Sequence, residues 1–75
     1  MKLNPKYKIN TELLYGYIVR HNLSKTQFAK KCKISTYNLR KILNGSFDID
    51  IALIFKIKLA TGIRLDDIFC INQQS

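Results

Sequence analysis

The chain has 75 residues, 47% of them apolar, which suits one small domain with a single core and is too apolar for a disordered basic tail. Thirteen Lys and Arg against five Asp and Glu leave a net charge of +8, which points to a polyanion, nucleic acid first and a membrane surface second. The lysines are scattered, no apolar run approaches ~18–20 residues and no signal-peptide pattern is read at the N-terminus, so a soluble, cytoplasmic protein is expected.

Residues 1–9 carry Lys2, Lys6 and Lys8 around Pro5 and read as a flexible basic arm. Residues 10–71 read as the folded domain, and 72–75 as a polar tail. Asn10 or Thr11 caps a first helix, with Glu12 in its first turn. It runs to about His21, where Arg20 and His21 complement the negative end of the dipole and Asn22 suits the exit. Ser24 caps a second helix, and Gln27 stands three residues on, as in a capping box. This helix ends near Lys31 or Cys32. Ser35 caps a third helix over about 36–43, and Asn44-Gly45 stops it. Asp48 or Asp50 opens a fourth, which continues to about Ala60 before Gly62. A short fifth begins near Leu65, has Asp66 and Asp67 in its first turn, and reaches about Cys70. No segment alternates like a strand for long. The expected fold is all-α, a compact bundle of five helices.

The chemistry of catalysis has little foothold. With two cysteines far apart and one histidine, the chain lacks the usual four zinc ligands. Cys32 falls at an apolar-face position and reads as a small core residue, and a Cys32–Cys70 disulfide is the minor alternative in a reducing compartment. One His, no paired carboxylates in a plausible cleft and no glycine-rich phosphate loop argue against an enzyme, a cofactor or a small-molecule substrate.

The stretch from Lys25 to Asn44 carries the functional signal. Ala29 falls where two helices must come close. Phe28, Cys32, Ile34, Leu39 and Ile42 form an apolar set that a helix, a tight turn and a second helix can share. Thr36, Tyr37, Asn38, Arg40 and Lys41 are left facing outward on a strongly basic chain, which suits a helix-turn-helix that reads DNA. From Leu23-Ser24 to Leu65-Asp-Asp-Ile-Phe69 the residues resemble, without a gap, the phage-repressor helix-turn-helix proteins of the Cro/CI or XRE type. The resemblance runs through Phe28-Ala29, Ile34-Ser35, Asn44-Gly45, Ile57 and Gly62-Ile63, and more loosely through Leu14, Tyr17 and Ile18. It implies the lambda-repressor-like bundle. Three positions depart from the family pattern. Lys33 stands where glycine is usual in the turn, Lys58 occupies a usually small apolar position in the fourth helix, and Leu43 replaces a common glutamate. Lys33 must then tolerate a left-handed backbone at a cost of ~1 kcal/mol, or the turn differs slightly. The stem of Lys58 must snorkel.

The resemblance implies a sequence-specific regulator of transcription, a repressor, whose third helix enters the major groove of double-stranded DNA. Thr36, Tyr37, Asn38 and Lys41 would then face base edges, with Asn38 suited to adenine, Lys41 to guanine, and Thr36 or Tyr37 to a thymine methyl. Lys25, Arg40, Asn44 and Ser46 would meet phosphates. Simpler readings stand beside these: Lys30 and Lys31 as a solvated face, Tyr37 packed on its own domain, Asn44 as a helix stop only. The first helix, Leu13-Leu14-Tyr15-Gly16-Tyr17-Ile18-Val19, is apolar nearly all round, and Leu53 and Leu59 add to the surplus. Either the domain wraps these residues inside, or Leu53, Leu59 and Ile71 contribute to a homodimer that sets two recognition helices about 34 Å apart on a palindromic operator. An antitoxin-type module, binding a second small protein as well as operator DNA, is the alternative. A phage, mobile element or bacterial nucleoid is the expected setting.

Overall fold

The computed structural model describes residues 6–46 and 48–71, and the backbone alone of Ile71. Five helices and two short strands follow in the order β1 (Tyr7–Ile9), α1 (Thr11–Arg20), α2 (Lys25–Cys32), α3 (Thr36–Leu43), α4 (Ile51–Thr61), α5 (Leu65–Ile68) and β2 (Phe69–Ile71). The five expected helices are all present, and the bundle is helical as expected. The first five residues of the expected basic arm and the polar tail over 72–75 lie outside the described residues.

Local chemistry accounts for the helix ends. Asn10 opens α1, its side-chain oxygen accepting the Leu13 N–H at 3.2 Å. Past α1, Asn22 adopts a left-handed φ of 54°, and the Leu23 N–H donates back to the Ile18 carbonyl at 3.0 Å. Ser24 and Gln27 form the capping box of α2: the Gln27 N–H donates to Ser24 Oγ at 3.1 Å and the Ser24 N–H to Gln27 Oε1 at 2.8 Å. Of the two aspartates expected as openers of α4, Asp50 is the cap, accepting the Ala52 N–H at 2.9 Å. That hydrogen bond holds the Asp50 carboxyl below its ordinary pKa, so the cap stabilises at neutral pH and the gain is lost as pH falls through the lowered value. Gly62, at φ +75°, ends α4.

Two expectations at the ends of the chain need correction. Residues 7–9, expected within a flexible arm, form β1. The stretch from Phe69, expected to continue the fifth helix to about Cys70, leaves α5 after four residues and becomes β2. The two strands pair antiparallel, Tyr7 opposite Ile71, Lys8 opposite Cys70 and Ile9 opposite Phe69. The Asn10 N–H closes the junction on the Ile68 carbonyl at 2.7 Å. Aromatic and β-branched residues favour this pairing, and Ile9 gains a place in the core at 5% exposure. The all-α core therefore carries a small two-stranded sheet that fastens its first helix to its last.

The core is shared by every helix: Leu14 and Ile18 from α1, Phe28 and Cys32 from α2, Leu39 and Ile42 from α3, Ile54 and Ile57 from α4, and Ile68 from α5. The Tyr17 and Phe28 rings meet at a tilt of 59° with centroids 5.6 Å apart, joining α1 to α2. Cys32 and Cys70 are both free thiols, so the disulfide alternative is not realised. Burial pushes the Cys32 thiol up to about 11, against a smaller lowering by Lys31, so it stays neutral and behaves as an apolar filler. Lys58 is half-buried, as its place among core-facing residues requires.

Ala29, 1% exposed, has the size its position allows. Ala29→Leu is expected to overpack the core and cost about 1–3 kcal/mol, lowering the melting temperature and DNA binding together. A melt matching the wild type would show that the site has room to spare.

Candidate nucleic-acid interface

Helices α2 and α3 are joined by Lys33, Ile34 and Ser35 alone. So short a link forces the chain to reverse direction sharply, and Lys33 does it at φ 60°, ψ 40°, in the left-handed region. The Ile34 N–H donates across the turn to the Ala29 carbonyl at 3.0 Å, satisfying an orphan carbonyl at the end of α2. Ser35 then caps α3, its hydroxyl accepting the Asn38 N–H at 3.0 Å. At the far end the Ser46 N–H donates to the Lys41 carbonyl at 3.0 Å, with Gly45 at φ +76°. The left-handed alternative foreseen for Lys33 is the one adopted.

The period of α3 sorts its residues by face. Leu39, Ile42 and Leu43 are buried, while Tyr37, Arg40 and Asn44 are exposed and Lys41 is half-buried, forming one outward stripe. Thr36 and Asn38 flank it, both half-buried at the helix's N-terminal end. Tyr37 is 69% exposed and does not pack into its own core. The Lys41 ammonium sits 5.7 Å from the Tyr37 ring centroid, within cation–π reach, and 3.3 Å from the Asp48 carboxylate. The candidate base-contacting residues Thr36, Tyr37, Asn38 and Lys41 thus share one helix.

The candidate phosphate contacts spread around that helix. Lys25 is the first residue of α2, exposed, with its ammonium 5.7 Å from the Tyr15 ring centroid. The N–H groups of the first turn of α2 make the same end attractive to an anion. Arg40 and Asn44 lie on the outward stripe of α3. Ser46 is half-buried, its hydroxyl accepting the Asp48 N–H at 3.1 Å, so its oxygen already shapes the turn after α3. From Ser24 to Phe47 the sequence holds six basic residues, Lys25, Lys30, Lys31, Lys33, Arg40 and Lys41, and no acidic one. Lys30 and Lys31 are exposed on α2.

Sequence reasoning passed over Asp48 as a partner of Lys41, because the contact spans seven residues across a glycine turn. It also passed over Phe55, which is 47% exposed, whereas Leu53 turns toward the core and is half-buried there. Leu59 is 81% and Val19 76% exposed. Ile71 enters only through its main-chain pairing with Tyr7. An open groove of about 310 Å³ lies between the end of α2 and α4, with Lys31, Lys33 and Lys56 around Cys32, Leu59 and Ala60. Among the described residues its lining has no carboxylate or imidazole for proton transfer. Among the described residues no helix is long and apolar enough to cross a membrane.

Two short helices, a three-residue reversal and a solvent-facing basic second helix define a helix-turn-helix domain. Over 53 residues the chain is 36% identical to an uncharacterized HTH-type transcriptional regulator, MJ0272, of Methanocaldococcus jannaschii, a match that spans 71% of this chain and 80% of that protein. The chain belongs to the HTH-type transcriptional regulators. No protein-family model matches it, and no solved structure does.

Because Lys33 bears the strain of the turn, Lys33→Gly is expected to stabilise the domain by about 0.5–1 kcal/mol. Urea unfolding should show a higher midpoint at an unchanged slope. A lower midpoint would mean that the lysine side chain contributes more than its backbone costs.

Proposed function

We propose that the chain is a sequence-specific regulator that binds double-stranded DNA, a repressor of the Cro/CI or XRE type, with α3 in the major groove and α2 across the backbone. The observation that carries this reading is the outward stripe of α3, where Tyr37, Arg40, Lys41 and Asn44 share a face on a segment that holds only basic charges. Asn38 and Lys41 have donors suited to adenine and guanine edges, and Thr36 and Tyr37 offer apolar contact to thymine. Lys25, Arg40, Asn44 and Ser46 hold the backbone.

A dimer on a palindromic operator is part of the proposal. A single recognition helix contacts few bases, and joining two makes the second contact effectively intramolecular. The apolar surface available for it centres on Leu59, which lies one turn beyond Phe55 on the same face of α4. Leu53, turned inward, contributes less. Val19, exposed near the end of α1, supports a second reading, in which an antitoxin-type module also binds a small protein partner.

Asn38→Ala is expected to cost about 1–3 kcal/mol on the preferred site and to relax specificity at one position, whereas Lys25→Ala weakens all sequences alike and lowers the salt slope by about one. Titrations on preferred and random duplexes at several salt concentrations check both, and equal losses on the two DNAs for Asn38→Ala would overturn the assignment. Leu59→Glu, at an exposed position, should leave the monomer folded and disperse the dimer. Operator affinity should then fall on the order of a hundredfold or more. Sedimentation at micromolar concentration decides the matter, since a wild-type chain that stays monomeric both free and on a full-length site would end the dimer proposal.

A further inference from the structure

We infer that Lys41 and Asp48 act as one donor–acceptor unit that reads a single G·C base pair, which makes Asp48 a specificity-determining residue. The inference rests on the reading of α3 as the helix in the major groove. Lys41 Nζ lies 3.3 Å from Asp48 Oδ2 and 5.7 Å from the Tyr37 ring centroid, so the ammonium is held from two sides. The Lys41 side chain is 26% exposed and that of Asp48 63%, so the pair lies at the surface beside the outward stripe of α3. Two hydrogen bonds bring Asp48 there: the Ser46 N–H donates to the Lys41 carbonyl at 3.0 Å, and the Asp48 N–H to the Ser46 hydroxyl oxygen at 3.1 Å.

The geometry matches the edge of a base pair. In the major groove guanine presents the acceptors O6 and N7, and its partner cytosine presents the N4 amino group as donor. O6 and N4 are hydrogen-bonded to one another, at ~2.9 Å. The Lys41–Asp48 pair places its own donor and acceptor 3.3 Å apart, close to that spacing. Lys41 then donates to O6 or N7 while Asp48 accepts from N4. A reversed C·G pair sets amino group against ammonium and carbonyl against carboxylate, so both contacts repel. T·A offers a carbonyl and an amino group in the right order but lacks N7 as a second acceptor, and ranks between.

The same pair limits binding to arbitrary sequence. Asp48 offsets part of the Lys41 charge when no matching base pair is present, and the exposed carboxylate opposes nearby phosphates. An ion pair so open to water is held weakly, so a matching pair of bases can share it without first breaking a strong contact.

Selection of preferred sites from random duplexes, followed by titration of single-position variants, tests the unit as a unit. In the wild type one position of the half-site should prefer G·C over C·G by on the order of 10- to 100-fold. Lys41→Ala and Asp48→Ala should flatten that same position to within about threefold and leave the other positions unchanged. Asp48→Ala should bind random DNA as well as the wild type or better, and Asp48→Asn, which keeps an acceptor oxygen, should retain the preference. The Asp48→Ala chain keeps the main-chain bond to Ser46, and a thermal melt confirms its fold. An Asp48→Ala variant that flattens no position, or a different one from Lys41→Ala, would overturn the inference while leaving the DNA-binding reading intact. Equal losses on preferred and random DNA would reduce Asp48 to a structural role and overturn it too. A wild type with no preference at any position would overturn the reading of α3 itself, and this inference with it.

Discussion

Helices of eight residues do not persist alone in water, because nucleation costs more than so few hydrogen bonds return. Both helices of the recognition unit, α2 and α3, have this length, so each exists only by sharing the core with the other. Phe28, Ala29 and Cys32 on one side meet Leu39 and Ile42 on the other within a single cluster. The orientation of the outward stripe on α3 is therefore a property of the buried contact. Tyr37, Arg40 and Lys41 point where they do because Leu39 and Ile42 cannot leave.

Much of this was legible in the sequence, for a local reason. Caps act over three or four residues, and Ser24 with Gln27, Ser35, and Asn44 with Gly45 mark their helix ends where the structure has them. What escaped depends on residues distant along the chain or on a helix without a polar face. The strands are three residues long, too short for alternation to register, and they form because Ile9 and Phe69 meet across the whole bundle. Helix α4 is apolar on nearly every side, so its sequence does not say which residues face inward. Leu53 turned in and Phe55 turned out. Either aspartate, Asp48 or Asp50, suited the helix start, and only the path of the turn after Gly45 brings the first of them to Lys41 and leaves the second as the cap.

Charge is distributed with a purpose that net charge alone hides. The segment from α2 through α3 holds six cations and no acid, while the acidic residues cluster elsewhere: Glu12 at the start of α1, Asp66 and Asp67 in α5. At helix starts they complement the dipole. Asp50 does the same as the cap of α4, and the exception is Asp48, which follows α3 in the chain and lies beside Lys41. A chain built only to adhere to phosphate has no use for a carboxylate there, since it subtracts from attraction that every sequence shares.

The sheet gives the domain an uneven kinetic character. A hydrogen bond from the Cys70 thiol to the Lys8 carbonyl, at 3.6 Å, joins residues 62 apart, and the whole bundle lies between the two strands. Closing so long a loop requires the helices to be assembled first, so the pair forms late and, being only three residues on each side, opens early. Amide protons of this sheet should exchange by small local openings, while those of Leu39 and Ile42 wait for the whole bundle to unfold. The domain therefore has a clasp at its two ends that opens at lower cost than the contact between α2 and α3.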